Sequence, residues 1–232
     1  MSVTNNETVV DYGTTSKHNV QDKTNLREQA KSQFGFYNDI LRGFDSYRQC
    51  LLHDESIIEF SRHLALAEID TLHTDCKRVL NYVAENMSIL GQSLPIKGRL
   101  VVCGLPRTST TLLYNLLACD TNCRAPLYTY ICIDMVPSIV ISDSIQQQQR
   151  ANTMLSSTKE IKHFADYQSQ MAEAHPFLPI EEDYLILRHT SYLPFVTYIG
   201  IDNESDSDTW LQNEMSKHYA CDYHETFLRM LN

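Results

Sequence analysis

The sequence predicts an α/β fold in which a parallel sheet is flanked by helices and preceded by a helical N-terminal segment. Two observations favour the sheet. Residues 99–103 form a short apolar run with two valines between Gly98 and Gly104, which is typical of a buried strand. Leucines at helical spacing follow directly in residues 112–117. A strand, a tight loop and a helix in this order open a parallel α/β unit.

The helical N-terminal segment is predicted from a second apolar pattern. Between residues 55 and 91 apolar residues recur three to five positions apart, which indicates one buried helix face ending near Gly91. Residues 1–24 are rich in Ser, Thr, Asn and Asp and have no such period, so we expect a flexible tail. The sequence thus divides into a tail at 1–24, a helical segment at 25–97 and an α/β domain at 98–232. The apolar face consists of Phe60, Leu64, Ile69, Leu72, Cys76, Leu80 and Val83.

Two further helices are predicted downstream of the loop. The first covers residues 144–174, and Pro176 and Pro179 interrupt the pattern after it. The second covers residues 180–189 and begins with three acidic residues, which suit the positive end of a helix dipole.

Composition and charge exclude several classes of protein. There are 19 Lys and Arg residues against 29 Asp and Glu, a net charge of −10, which disfavours a broad nucleic-acid-binding surface. No uncharged apolar run reaches the roughly 18 residues that a membrane span requires. The seven cysteines are an odd, scattered set, and the first residues do not resemble a secretory signal. We therefore expect a cytoplasmic protein with no nucleic-acid partner and no membrane span.

The loop at residues 104–111 is the candidate binding site for an anion. Its sequence is Gly-Leu-Pro-Arg-Thr-Ser-Thr-Thr, and in a strand-to-helix turn its backbone N–H groups would converge on a phosphate or sulfate. Arg107 adds a fixed positive charge, and Thr110 and Thr111 add hydroxyl donors. In the ATP-binding pattern G-x-x-x-x-G-K-[ST], the second Gly corresponds here to Ser109 and the Lys to Thr110. A nucleotide kinase-like protein is therefore disfavoured.

These residues resemble a known family. The loop and the following Leu-Leu are similar to the sulfotransferase pattern G-L-P-R-T-G-T-T-L-L, and residues 119–127, Cys-Asp-Thr-Asn-Cys-Arg-Ala-Pro-Leu, are similar to its D-P-x-x-R-A-P-L. The resemblance implies a P-loop-like domain that transfers a sulfuryl group from 3′-phosphoadenosine 5′-phosphosulfate (PAPS), without a metal. The acceptor would be a hydroxyl or amine on a small molecule or a glycan.

The resemblance also implies roles for particular residues. Arg107 would stabilise the leaving phosphate, and a base would take the proton of the acceptor. Related sequences place a Glu where this chain has Tyr130, which leaves His175 and the Glu181/Glu182 pair as candidates for the base. The predicted catalytic residues are Arg107, His175 and Glu182. The predicted cofactor-binding residues are Gly104, Pro106, Arg107, Thr108, Ser109, Thr110 and Thr111.

The resemblance stops before the C-terminus. Sulfotransferases deliver an Arg and a Ser to the 3′-phosphate from a later segment of the H-R-D-P type, which residues 202–232 do not contain. The sequence is therefore expected to be an N-terminal portion or a shortened member, with the C-terminal part of its α/β domain missing. Three functions stay open: a sulfotransferase, a non-catalytic anion- or nucleotide-binding module derived from one, and a kinase-like P-loop protein, which the absent Lys argues against.

Overall fold

The computed structural model describes residues 25–94, 102, 110–120, 135–137, 143–160, 183–192 and 217–231. Of these residues, 74% are helical and none lies in a strand. Their α-helices, numbered here in chain order, are α1 (Glu28–Gln33), α2 (Tyr37–His53), α3 (Glu59–Glu85), α4 (Thr110–Leu117), α5 (Ser144–Glu160), α6 (Tyr184–Arg188) and α7 (His218–Leu231). A short 3₁₀ helix, Met87–Ile89, follows α3.

The predicted parallel sheet is wrong for the described part of the chain. The large buried residues there come from helices and their connecting turns, so their apolar surface is removed from water by helix-on-helix packing. Of the predicted strand at 99–103, only Val102 is described, and it has no regular structure. The other four residues of that run lie outside the described part of the chain.

Helices α2 and α3 form a hairpin whose turn is tied by one arginine. The guanidinium of Arg62 donates to the backbone carbonyls of Leu51 at 2.8 Å, Asp54 at 2.7 Å and Ile57 at 3.0 Å. The last carbonyls of a helix have no partner within the helix, and a guanidinium offers five donors. Arg62 therefore satisfies the C-terminal end of α2 and the turn after it at once.

The helix predicted from the N-terminal apolar pattern is confirmed as α3, although it ends at Glu85, ahead of Gly91. Its face is buried only in the later turns. Phe60 and Leu64 are 68% and 54% exposed, whereas Ala65 beside them is 5% exposed, so the buried face of the first turns does not include the two predicted residues. Residues of the same face that are buried are Ile69, Cys76, Leu80 and Val83.

The start of α1 is fastened to the end of α3 by polar side chains. The Asn81 side chain accepts a hydrogen bond from the Arg27 backbone N–H at 2.9 Å and donates one to the Asn25 carbonyl at 2.9 Å. Gln29 donates to the Ala84 carbonyl at 2.7 Å. Asn81 thereby pairs one backbone donor and one backbone acceptor just ahead of α1, where no helical bond is available.

The C-terminal helices return to the N-terminal hairpin. Helix α7 packs against α2, α3 and α6, and its buried face includes Tyr223, Phe227 and Met230. The Arg229 guanidinium donates to the Leu90 carbonyl at 2.9 Å and also contacts the Gln92 carbonyl. These contacts join residues nearly 140 positions apart in the sequence, so one core contains both ends of the described chain.

The other two predicted helices are found in part. Helix α5, Ser144–Glu160, covers the first half of the helix expected at 144–174, and α6, Tyr184–Arg188, lies within the helix expected at 180–189. Asp183 and His189 flank α6 without being helical, so the second prediction was too long at both described ends. Residues 161–174, residues 180–182 and the predicted tail at 1–24 fall outside the described residues. The division into segments at 1–24, 25–97 and 98–232 stays a prediction.

Candidate functional site

Most of the predicted site falls outside the described residues. Only Thr110 and Thr111 are described, as the first two residues of α4. The predicted residues outside the described part are Gly104, Pro106, Arg107, Thr108, Ser109, His175 and Glu182.

The described end of the motif begins a helix, as the sequence predicts. Helix α4 starts at Thr110 and runs for eight residues. Its first turn contains no acidic residue, so no carboxylate of that turn neutralises the partial positive charge of the helix N-terminus. The six residues 104–109 therefore lead directly into the positive end of a helix, where backbone N–H groups lack helical partners.

The leucines of α4 do not face the core. Leu112, Leu113 and Leu116 are 62%, 48% and 62% exposed. Their helical spacing correctly predicted the helix, but the burial that normally accompanies such spacing is absent from this helix. Among the described residues, α4 therefore lacks the buried apolar face by which α2, α3 and α7 pack together.

The strongest polar cluster in the described part lies elsewhere, between α2 and α3, and sequence reasoning missed it. We call it the His73 network; it comprises Tyr37, Phe44, Arg48, Asp70 and His73. The Tyr37 hydroxyl lies 2.7 Å from Nε2 of His73, and Nη2 of Arg48 lies 3.2 Å from Nδ1 of the same ring. Arg48 also donates to Asp70 through Nη2 at 2.9 Å, and the Phe44 ring stacks on His73 with centroids 5.0 Å apart.

The partners of His73 determine its tautomer. A guanidinium can only donate, so Nδ1 of the neutral ring accepts from Arg48. The single ring proton then lies on Nε2, which donates to the Tyr37 oxygen. Burial, helped by the nearby charges of Lys77 and Arg48, lowers the pKa of His73 to about 4, and burial raises the pKa of Tyr37 to about 12. Both groups are therefore neutral near pH 7.

A sequence signal for the network does exist. His73 lies four residues after Ile69 and three before Cys76, both buried on the same helix, so it occupies the apolar face of α3. A pattern search restricted to apolar residues passes over it. A histidine at such a position must find hydrogen-bond partners, because burial of an unpaired polar group is unfavourable.

Neither the His73 network nor the rest of the described chain offers a metal site. No group of three or more His, Cys, Asp or Glu side chains in that part is arranged to hold an ion. None of its four cysteines, Cys50, Cys76, Cys119 and Cys221, is in a disulfide bond. None of the helices described is both long and apolar enough to cross a membrane.

Comparison with known proteins adds no relative. No family model, curated protein or solved structure matches this chain. The residues of the loop at 104–111 and the helix that follows them are therefore the features that indicate a function.

Proposed function

We propose that this chain binds PAPS through residues 104–111 and transfers its sulfuryl group to a hydroxyl or amine acceptor. The observation that supports the proposal is the start of α4 at Thr110. An oxyanion-binding motif with a central arginine leads directly into a helix N-terminus whose first turn has no acidic side chain. Such a site needs consecutive backbone amides ahead of a helix, and it does not need a parallel sheet.

The proposed reaction is an in-line displacement at sulfur. The acceptor oxygen or nitrogen forms a bond to sulfur as the bond from sulfur to the bridging oxygen breaks, and the bridging electrons leave with the nucleotide phosphate. Arg107 stabilises the negative charge that grows on that oxygen, and the threonines of the loop hold the phosphosulfate. The acceptor proton passes to His175 or Glu182, with His175 favoured because an imidazole titrates near neutral pH.

The proposal also includes the acceptor and the cellular compartment. A small molecule or a glycan supplies the hydroxyl or amine, as the resemblance implies. A cytoplasmic location is proposed because the described cysteines are in no disulfide bond, as is usual in a reducing compartment.

A second candidate function is nucleotide binding without transfer. Ser109 occupies the position where the sulfotransferase pattern has Gly. If the loop requires a positive φ there, the Ser side chain costs about 1 kcal/mol and displaces neighbouring amides. A misplaced amide weakens transition-state stabilisation more than binding, so such a chain would retain the nucleotide and lose turnover.

Thermal unfolding with two nucleotides tests the binding step. We expect 3′-phosphoadenosine 5′-phosphate to raise the unfolding midpoint of the wild-type chain, because a ligand of the folded state stabilises it by mass action. ATP with Mg²⁺ should not. The Arg107→Ala variant should lose the shift. Arg42→Ala, which removes an exposed arginine of α2 paired with Asp39, is the matched control and should keep it.

The transfer step needs a separate readout. Release of 3′-phosphoadenosine 5′-phosphate from PAPS, measured with a panel of phenol, alcohol and amine acceptors, distinguishes an enzyme from a binding module. Acceptor-dependent release that His175→Ala abolishes supports sulfuryl transfer with His175 as base. Binding without release supports the second candidate. A midpoint shift with ATP and Mg²⁺ alone would contradict both.

A further inference from the structure

The His73 network is built for a neutral imidazole. Nδ1 of His73 faces Nη2 of Arg48 at 3.2 Å, and Nε2 faces the Tyr37 hydroxyl at 2.7 Å. A second ring proton would have to sit on Nδ1. There it would point at the N–H groups of a permanently charged guanidinium, which cannot accept a hydrogen bond.

We propose that the His73 network is an acid-sensitive latch between α2 and α3, in which protonation of His73 expels Arg48 from the ring and loosens the contact between the two helices. The step is uptake of one proton from solvent at Nδ1. Protonation breaks the hydrogen bond from Arg48, and the hydrogen bond to Tyr37 is lost when the charged ring turns to solvent.

The charges around the ring do not offset the added proton. On α2 the ionisable groups facing it are Tyr37, Asp45 and Arg48, and on α3 they are Asp70 and Lys77. Two carboxylates, Asp45 and Asp70, are thus balanced by two cations, Arg48 and Lys77. Asp45 and Asp70 each favour the charged ring, but burial, Lys77 and Arg48 outweigh them, and both carboxylates already pair with Arg48, at 3.0 Å for Asp45 and 2.9 Å for Asp70.

The position of the ring makes its protonation a packing event. His73 is 8% exposed, and its ring stacks on Phe44 and on Tyr37, both in α2. Phe44 is itself 2% exposed and belongs to the core. Burial of a charged ring is unfavourable, and the ring becomes hydrated only by leaving these aromatic contacts. Arg48 has an alternative position ready, because its two carboxylate partners keep it at the surface when the ring departs.

Native-state hydrogen exchange of the α2 and α3 amides, corrected for the intrinsic pH dependence of exchange, tests the latch. We expect the opening equilibrium of these amides in the wild type to rise as the pH falls from 6.5 to 5, by at most tenfold per pH unit for one titrating histidine. His73→Gln keeps a donor and an acceptor but cannot titrate, so the rise should shrink to the part that His189 contributes. His63→Gln, at an exposed position of the same helix, should retain it. An unchanged rise in His73→Gln would overturn the proposal.

A measurement on the wild type covers the case in which His73→Gln does not fold. Nitrogen-15 NMR of labelled histidine should show His73 with an unprotonated Nδ1 and a protonated Nε2 at pH 7. On acidification, protonation of Nδ1 should accompany loss of α2 and α3 amide protection. A proton on Nδ1 at pH 7, or ring protonation that leaves this protection unchanged, would show that the network is not a latch.

Discussion

Gly43 and Ser191 approach each other so closely that only a glycine fits at position 43. A Cβ built on Gly43 would lie 1.9 Å from Oγ of Ser191 and 2.9 Å from its Cβ. Ser191 has a φ of 62°, a conformation that residues other than glycine adopt infrequently, and its hydroxyl donates to the Ile40 carbonyl at 3.3 Å. The turn after α6 is thus seated directly on the backbone of α2.

The first prediction concerns this contact. Gly43→Ala should lower the free energy of unfolding by about 1–3 kcal/mol, the usual cost of overpacking a buried contact, measured by urea denaturation. Gly35→Ala is the matched control, because nothing lies within 4 Å of a Cβ there. The double variant Gly43→Ala/Ser191→Gly removes the clashing atoms and should recover most of the loss. Equal stability of the two alanine variants would contradict the close approach.

The second prediction concerns the hairpin turn. Arg62→Ala should lower the free energy of unfolding by about 1–3 kcal/mol, because three carbonyls at the end of α2 and in the turn lose a charged donor. Arg42→Ala removes an exposed arginine within α2 and should change stability by less than about 0.5 kcal/mol. The same small effect from both substitutions would show that the hydrogen bonds of Arg62 do not stabilise the turn.

The third prediction concerns acid. The pKa of His73 is lowered to about 4 and that of His189, buried and beside Arg188, to about 3. The unfolded state therefore binds more protons below pH 6.5, so stability is complete above that pH and declines as the pH falls toward 4. The slope should approach about 1.4 kcal/mol per pH unit for each histidine. Urea titrations at pH 7, 6 and 5 measure it, and a flat profile would refute it.

The fourth prediction concerns Asn81. Asn81→Ala should expose the backbone amides at the start of α1 to faster hydrogen exchange, because Arg27 and Asn25 lose their side-chain partners. The protection of α7 should remain unchanged, since α7 does not contact α1 through this residue. Thr71→Ala, which removes only an exposed bond within α3, serves as the control. Unaltered exchange in α1 would show that Asn81 does not hold it.

Local patterns in the sequence identified helices better than they identified the fold. The three- to five-residue spacing from Phe60 to Val83 predicted α3, because one helix face repeats at that interval. The β-branched residues and flanking glycines of the run at 99–103 favour a strand, but such local features do not specify pairing with another strand. The return of α7 to α2 and α3 joins residues far apart in sequence, and no local pattern encodes such a partner.

The same difference between local and long-range features applies to the candidate sites. The motif at 104–111 is contiguous, so sequence reasoning found it, and the start of α4 at Thr110 agrees with its expected place before a helix. The His73 network combines Tyr37 and Arg48 of one helix with His73 of another. Its chemistry arises from their proximity in the folded chain, which the spacing of residues within either helix does not reveal.

Calorimetric titration with 3′-phosphoadenosine 5′-phosphate tests the central claim most directly. The wild-type chain and Arg42→Ala should bind with the same Kd, and Arg107→Ala should bind about 10- to 100-fold more weakly, as expected for loss of hydrogen bonds from a charged donor. No binding by the wild type, or an equal Kd for wild type and Arg107→Ala, would contradict the assignment of residues 104–111 as the nucleotide site.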